Sequence, residues 1–335
     1  MNAGVYTLYG IDPSPYSVKM RAILRYRRLP FVWNCSTPAR EVAIGAGLPP
    51  VIPVLRFPDG RLMNDSTPLA DALEREHPGA RSIVPDDPGL AYLSDLLEDF
   101  ADEWLTKLMF HYRWYYPDDR VFAQLWVTSC RNPTMPQAER RDLMREFDAR
   151  QVGRMALVGC TEQNRPIIED SYRFVLDTLD RHGRQTPFLF GGRPSLADFA
   201  FYGQLRILAT DPTPMAEMRR RAPDVYFWVM RLDDASGVDG AWFDPATALP
   251  DGIHALLRHC GDTYLPFLAA NARAVELAAA MVDLEILGRP YSQVPFRYQA
   301  KCYDALRKKF AALPPTARER IEPLLRDTGC LGHLI

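Results

Sequence analysis

The chain has 335 residues, 47% hydrophobic and 24% charged, with a net charge of −2, a globular profile long enough for two domains. That near-neutral balance excludes a nucleic-acid footprint, and the basic runs at Arg25 to Arg28 and Arg219 to Arg221 read as solvated helix ends. Cys35, Cys130, Cys160, Cys260, Cys302 and Cys330 are scattered without paired spacing, which indicates neither a disulfide framework nor a zinc knuckle, and a reduced, cytoplasmic protein is expected.

Val5 to Tyr9 is an apolar run that reads as a short buried strand, and Gly10 to Pro13 as the turn leaving it. Met1 to Gly4 runs straight into this strand, so no signal peptide is expected. After the turn, Ser14 stands at an N-cap and Pro15 at the first helical position, with Val18, Ala22 and Leu24 continuing the helix toward Arg28. A strand feeding a helix through a tight turn aims free backbone N–H groups and the positive end of a helix dipole at one spot, which suits an anion. Phe31 to Trp33 is a second strand, so the opening is a βαβ unit with a parallel pair.

A short helix is expected from about Thr37 to Ile44, then a strand over Val54 and Leu55 with Pro53 at its start, where a missing N–H is tolerated. Phe57-Pro58-Asp59-Gly60-Arg61 is a hairpin turn into Leu62 and Met63. Asn64 to Leu69 opens a helix running to about His77, capped by Asp65 or Ser66. Pro78 to Gly89 is a linker by composition.

Leu90, Leu93, Leu97, Phe100, Trp104 and Leu108 recur at helical spacing, while Asp95, Asp99 and Asp102 lie on another face; one long amphipathic helix is predicted to Tyr116, stopped by Pro117. Its end, Phe110-His111-Tyr112-Arg113-Trp114-Tyr115-Tyr116, is unusually aromatic. Further helices are predicted over Pro136 to Val158, Gln163 to His182, Ser195 to Ala209 and Pro223 to Asp234, the third opened by Ser195 and Asp198 at capping-box spacing. Beyond about Gly237, Thr263 to Leu287 and Pro295 to Ala312 read as helices that fold back on the bundle. His254, His259 and Cys260 do not share a helix face, and no metal site is expected. No stretch approaches about 18 uninterrupted apolar residues, so no membrane span is expected.

Ser14-Pro15-Tyr16-Ser17 sits where thioredoxin-fold proteins carry Cys-Pro-Tyr-Cys, and with Lys19 and Arg21 downstream it resembles the opening of serine-type glutathione transferases. Ile52-Pro53 is similar to that family's Val-Pro step, and Asp65-Ser66 to its Glu-Ser signature, with Asp65 the shorter acid. The resemblance implies a thioredoxin-like α/β domain over residues 1–83 followed by an all-helical domain over 89–335, with an extension from about residue 237. It implies glutathione as co-substrate, Ser14 as donor to its thiolate, and Ile52, Pro53, Asp65 and Ser66 as the residues holding the tripeptide. Tyr16, Phe110, His111 and Trp114 are the expected lining of a pocket for a hydrophobic electrophile, and a homodimer is expected.

Serine cannot form the disulfide of a Cys-x-x-Cys pair, so thiol redox chemistry at this motif is excluded. A free thiol titrates near 8.5, and lowering it by two units takes about 2.7 kcal/mol, which a charge-assisted hydrogen bond and a helix dipole can supply together. The resemblance leaves open conjugation, isomerisation, ether or halide cleavage, and binding without turnover.

Overall fold

Tyr6–Tyr9 (β1), Phe31–Asn34 (β2), Val54–Arg56 (β3) and Leu62–Asn64 (β4) form a mixed sheet of order β2-β1-β3-β4 in the computed structural model, which describes residues 4–79 and 81–335. β1 pairs parallel with β2 and antiparallel with β3, and β3 pairs antiparallel with β4. Helix α1 (Pro15–Tyr26) makes the crossover and packs with α3 (Ser66–Glu76), whereas α2 (Ala39–Gly45) packs against β3 and β4. The strand period of two separates the layers: Leu55 joins the main core with α1 and α3, and its neighbour Val54 joins Ala39 and Ala43 of α2.

The helical part contains α4 (Pro88–Glu103), α5 (Leu105–Tyr115), α6 (Pro117–Arg131), α7 (Gln137–Val152), α8 (Met155–Val158), α9 (Arg165–Gly183), α10 (Leu196–Leu208), α11 (Pro212–Arg221) and α12 (Pro223–Leu232). Its centre is α10, nearly all of whose side chains are buried, against α1, α4 and α5. Gly203 lets α10 approach the start of α1: a Cβ there would lie 2.8 Å from the Pro15 carbonyl oxygen. One continuous hydrophobic cluster therefore runs from Tyr6 of the sheet to Leu334 near the chain end.

The expected single helix from Leu90 to Tyr116 is broken at Trp104. Its indole is fully buried against Tyr264, Phe267 and Tyr291, and its Nε1 donates to Ser171 Oγ at 3.3 Å. Pro117 does not merely end α5; it occupies the first position of α6, where its missing N–H leaves nothing unpaired.

The extension holds α13 (Asp251–His259), a π-helical turn (Cys260–Tyr264), α14 (Leu265–Glu276), the hairpin β5 (Val282–Ile286) and β6 (Arg289–Gln293), α15 (Arg297–Ala311), α16 (Pro315–Asp327) and α17 (Leu331–Leu334). The helix expected to reach Leu287 ends ten residues or more earlier, because Val282, Leu284 and Ile286 alternate with Asp283 and Glu285 at a strand's period. Leu287 and Gly288, at φ 51° and 70°, form the two-residue turn.

The acidic face of α4 is covered by the chain itself. Lys309 of α15 pairs with Asp95 at 2.6 Å, the Tyr264 hydroxyl donates to Asp99 at 2.6 Å, and Gln299 donates to Glu103 at 3.0 Å. Arg320 of α16 pairs with Asp87. The chain end docks within the extension: Cys330 Sγ donates to the Leu257 carbonyl at 3.1 Å and the Tyr303 hydroxyl to that of His333 at 2.7 Å.

The expected capping box forms. Asp198, fully buried, accepts from the Ser195 N–H (2.8 Å), the Ser195 hydroxyl (2.6 Å) and the Leu189 N–H (2.9 Å), and burial pushes its carboxyl up to about 6. Asp198→Ala removes the cap and strands the Leu189 N–H, so urea unfolding should show a loss of about 2–4 kcal/mol.

Candidate functional site

The turn between β1 and α1 carries the site. Ser14 is the N-cap of α1 in extended conformation (φ −105°, ψ 119°), and its Oγ accepts from the Ser17 N–H at 3.3 Å. Gly10 allows the helix to start this close to the strand, since a Cβ there would meet Ser17 Oγ at 2.6 Å. Ser17 thus faces the end of β1, and Ser14 alone of the two serines caps the helix end. Accepting through one lone pair orients the Ser14 hydroxyl; its hydrogen has no acceptor among the described residues.

Arg113 of α5 holds the turn from the other side. Its Nη1 donates to the Pro13 carbonyl at 2.7 Å, while Nε and Nη2 form a fork on the Asp211 carboxylate at 2.8 and 3.0 Å. Asp211 is fully buried; burial raises its pKa and Arg113 opposes the rise. Arg113 sits inside the aromatic run, where nothing in the local sequence marks it as a clamp on a turn 100 residues away.

Ile52-Pro53 is a cis peptide bond immediately before β3. Asn64 Nδ2 donates to the carbonyls of Pro49 (2.6 Å) and Val51 (3.3 Å), which fixes the loop leading into it. Asp65 follows at φ 73°, a left-handed conformation uncommon for a residue other than glycine, and occupies the N-cap position of α3. Burial raises its carboxyl, and the Tyr298 hydroxyl, 3.1 Å from Oδ2, works in the opposite direction. Ser66 is buried, with its Oγ 3.5 Å from Asp102 Oδ2 of α4.

Beneath Ser66 lies an ionic triad. Lys19 Nζ is fully buried between Glu98 Oε1 (2.7 Å) and Asp102 Oδ2 (2.6 Å), and the Thr67 hydroxyl donates to Glu98 at 2.6 Å. Burial works against the ammonium, but the two carboxylates outweigh it and hold Lys19 protonated. Burial also dominates at Asp102, which rises to about 7 because one lysine cannot neutralise two buried acids, while Glu98, held by Lys19, stays low.

The expected pocket residues divide. The Tyr16 hydroxyl donates to the Asp102 carbonyl at 2.9 Å. Phe110 and Trp114, one turn apart on α5, meet at a tilt with ring centres 6.2 Å apart, and Trp114 meets Phe147 of α7 edge-on at 5.6 Å. His111 is fully buried on another side, with Nε2 3.1 Å from Glu169 of α9 and its ring stacked on Tyr115; burial lowers its pKa.

Two family descriptions match the chain: Glutathione S-transferase, N-terminal domain, over residues 8–81, and Glutathione S-transferase, C-terminal domain, over residues 168–240. Residues 8–81 and 168–240 thus match the N-terminal and C-terminal domains of the glutathione S-transferase family, in that order. Solved structures similar to it include a glutathione S-transferase of Methylobacterium radiotolerans in complex with glutathione sulfonate, at 19% identity over 73% of this chain and 99% of that one, with a TM-score of 0.43. A glutathione S-transferase of Methylobacillus flagellatus with glutathione bound is 20% identical over 69% and 96%, with a TM-score of 0.40. The β-etherase LigF of Sphingobium sp. strain SYK-6 is 18% identical over 68% and 94%, with a TM-score of 0.43. No curated protein matches the chain. The residues after 240 lie outside both family matches.

Lys19→Met leaves two buried carboxylates without their cation, which should cost about 3–5 kcal/mol at neutral or higher pH. Without the lysine both acids titrate above their unfolded values, so the penalty is absent below about pH 4 and grows as pH rises through the folded pKa. Urea midpoints for variant and parent should therefore lie far apart near pH 8 and converge toward about pH 4.

Proposed function

We propose that this chain is a glutathione-dependent enzyme that activates the glutathione thiol at Ser14 and transfers it to a hydrophobic electrophile. The observation that carries this reading is the Ser14 hydroxyl at the N-terminus of α1, oriented by the Ser17 N–H with its own hydrogen uncommitted. Donation of that hydrogen to a sulfur anion, together with the helix dipole, favours the thiolate over the thiol.

In this reading the backbone beside the cis Ile52-Pro53 bond holds the cysteinyl part of the tripeptide, and Asp65 and Ser66 hold the γ-glutamyl end. Arg113 keeps the turn in place through Pro13. Phe110 and Trp114 line the electrophile side with Tyr16; His111, two residues before Arg113 and so on the far side of α5, is left out. A second reading is binding of glutathione without turnover, since a fold does not by itself fix the chemistry done on it.

Ser14→Ala should lower kcat by about 10- to 100-fold, the value of one charge-assisted hydrogen bond, and leave the affinity for glutathione nearly unchanged. Steady-state rates with a chromogenic electrophile, beside calorimetric titration with glutathione, check this. Binding by the parent with no turnover of any electrophile would establish the second reading.

A further inference from the structure

Tyr298 stands on the first turn of α15, in the extension that neither family match reaches, yet its hydroxyl lies 3.1 Å from Asp65 Oδ2 of the sheet domain. The contact spans 233 residues of sequence. Asn271, fully buried, grips the backbone two residues before Tyr298 from both sides: its Nδ2 donates to the Phe296 carbonyl at 3.0 Å and its Oδ1 accepts from the Phe296 N–H at 2.8 Å. One residue after Tyr298, Gln299 donates to Glu103 of α4 at 3.0 Å. The start of α15 is thereby pinned to α14 and α4, and the hydroxyl is delivered to Asp65 from a fixed frame.

Asp65 needs such support. It is held in the left-handed region at φ 73°, at the end of β4 where the chain turns into α3, and burial disfavours its charged form. A hydroxyl donor on Oδ2 favours the carboxylate over the acid and fixes its plane. Of the groups around the tripeptide site, Tyr298 is contributed by the extension, and its ring is 40% exposed, so the hydroxyl does not hold the core together.

We propose that Tyr298 is a positioning residue of the glutathione site, whose hydroxyl holds the Asp65 carboxylate ready to receive the ammonium of the γ-glutamyl end. The inference rests on the assignment of that end to Asp65 and Ser66 made above. It gives the extension a role in recognising the tripeptide.

The test is Tyr298→Phe, which deletes one oxygen from a half-exposed ring. The expected result is a rise of about three- to tenfold in the KM and Kd for glutathione with kcat unchanged, as for an interaction made equally in ground and transition states. With N-acetylglutathione, whose amine is blocked and uncharged, variant and parent should bind equally. An unchanged Kd for glutathione, a tighter one, or an equal loss with both ligands would overturn the inference. Calorimetry of the parent separates the two levels: no binding of glutathione by the parent removes the functional reading itself, whereas normal binding by the parent with no change in the variant removes only the role of Tyr298.

Discussion

Lys19 sits on α1 with no solvent around its ammonium, between Glu98 and Asp102 of α4, and the placement of the site depends on that triad. A buried cation with two buried anions is stable only while all three stay together, because separating them leaves an uncompensated charge in a medium that solvates it poorly. The triad therefore sets where α1 lies along α4, and Ser14 lies little more than one turn from Lys19 on the same helix. Thr67 on Glu98 and Ser66 beside Asp102 tie α3 to the same acids. The N-terminus of α1 and the N-terminus of α3, the two helix ends that the functional reading uses, are thus referred to one point on α4.

Around that point the packing is shared. Arg113 and Asp211 form a second buried pair that reaches the turn at Pro13, and Gly203 lets α10 press on the first residues of α1. The turn is held from α5 and α10 as well as from its own sheet, which is the rigidity that the proposed donor to a sulfur requires. The hydrophobic cluster continues from the sheet into the extension without a break, so the two domains and the extension share one core.

The extension changes what α4 is for. Asp95, Asp99 and Glu103 of that helix are matched individually by Lys309, Tyr264 and Gln299, and Arg320 pairs with Asp87 at its N-cap. Burial raises Asp99 to about 7, with the Tyr264 hydroxyl opposing. The acidic face of α4 is closed by the protein's own last 85 residues or so, from α13 onward.

Much of this was legible in the sequence where the signal is local. The N-cap serine followed by proline, the hairpin turn at Asp59-Gly60, the proline at the start of β3 and the capping box at Ser195 and Asp198 are short-range patterns whose physics is complete within a few residues, and each stands where it was read. The period-two alternation from Val282 to Ile286 was also present, but Leu287 stands where a hairpin turn ordinarily carries asparagine or aspartate, and a helix was read through it. Tertiary structure alone decided the rest. The break at Trp104 exists because rings from α14 and β6 surround that indole, the clamp of Arg113 on Pro13 joins residues 100 apart, and Tyr298 meets Asp65 across 233. A charge or an aromatic ring carries no local mark of the partner it will find, because that partner is fixed by the packing of helices whose order in space the chain does not spell out residue by residue.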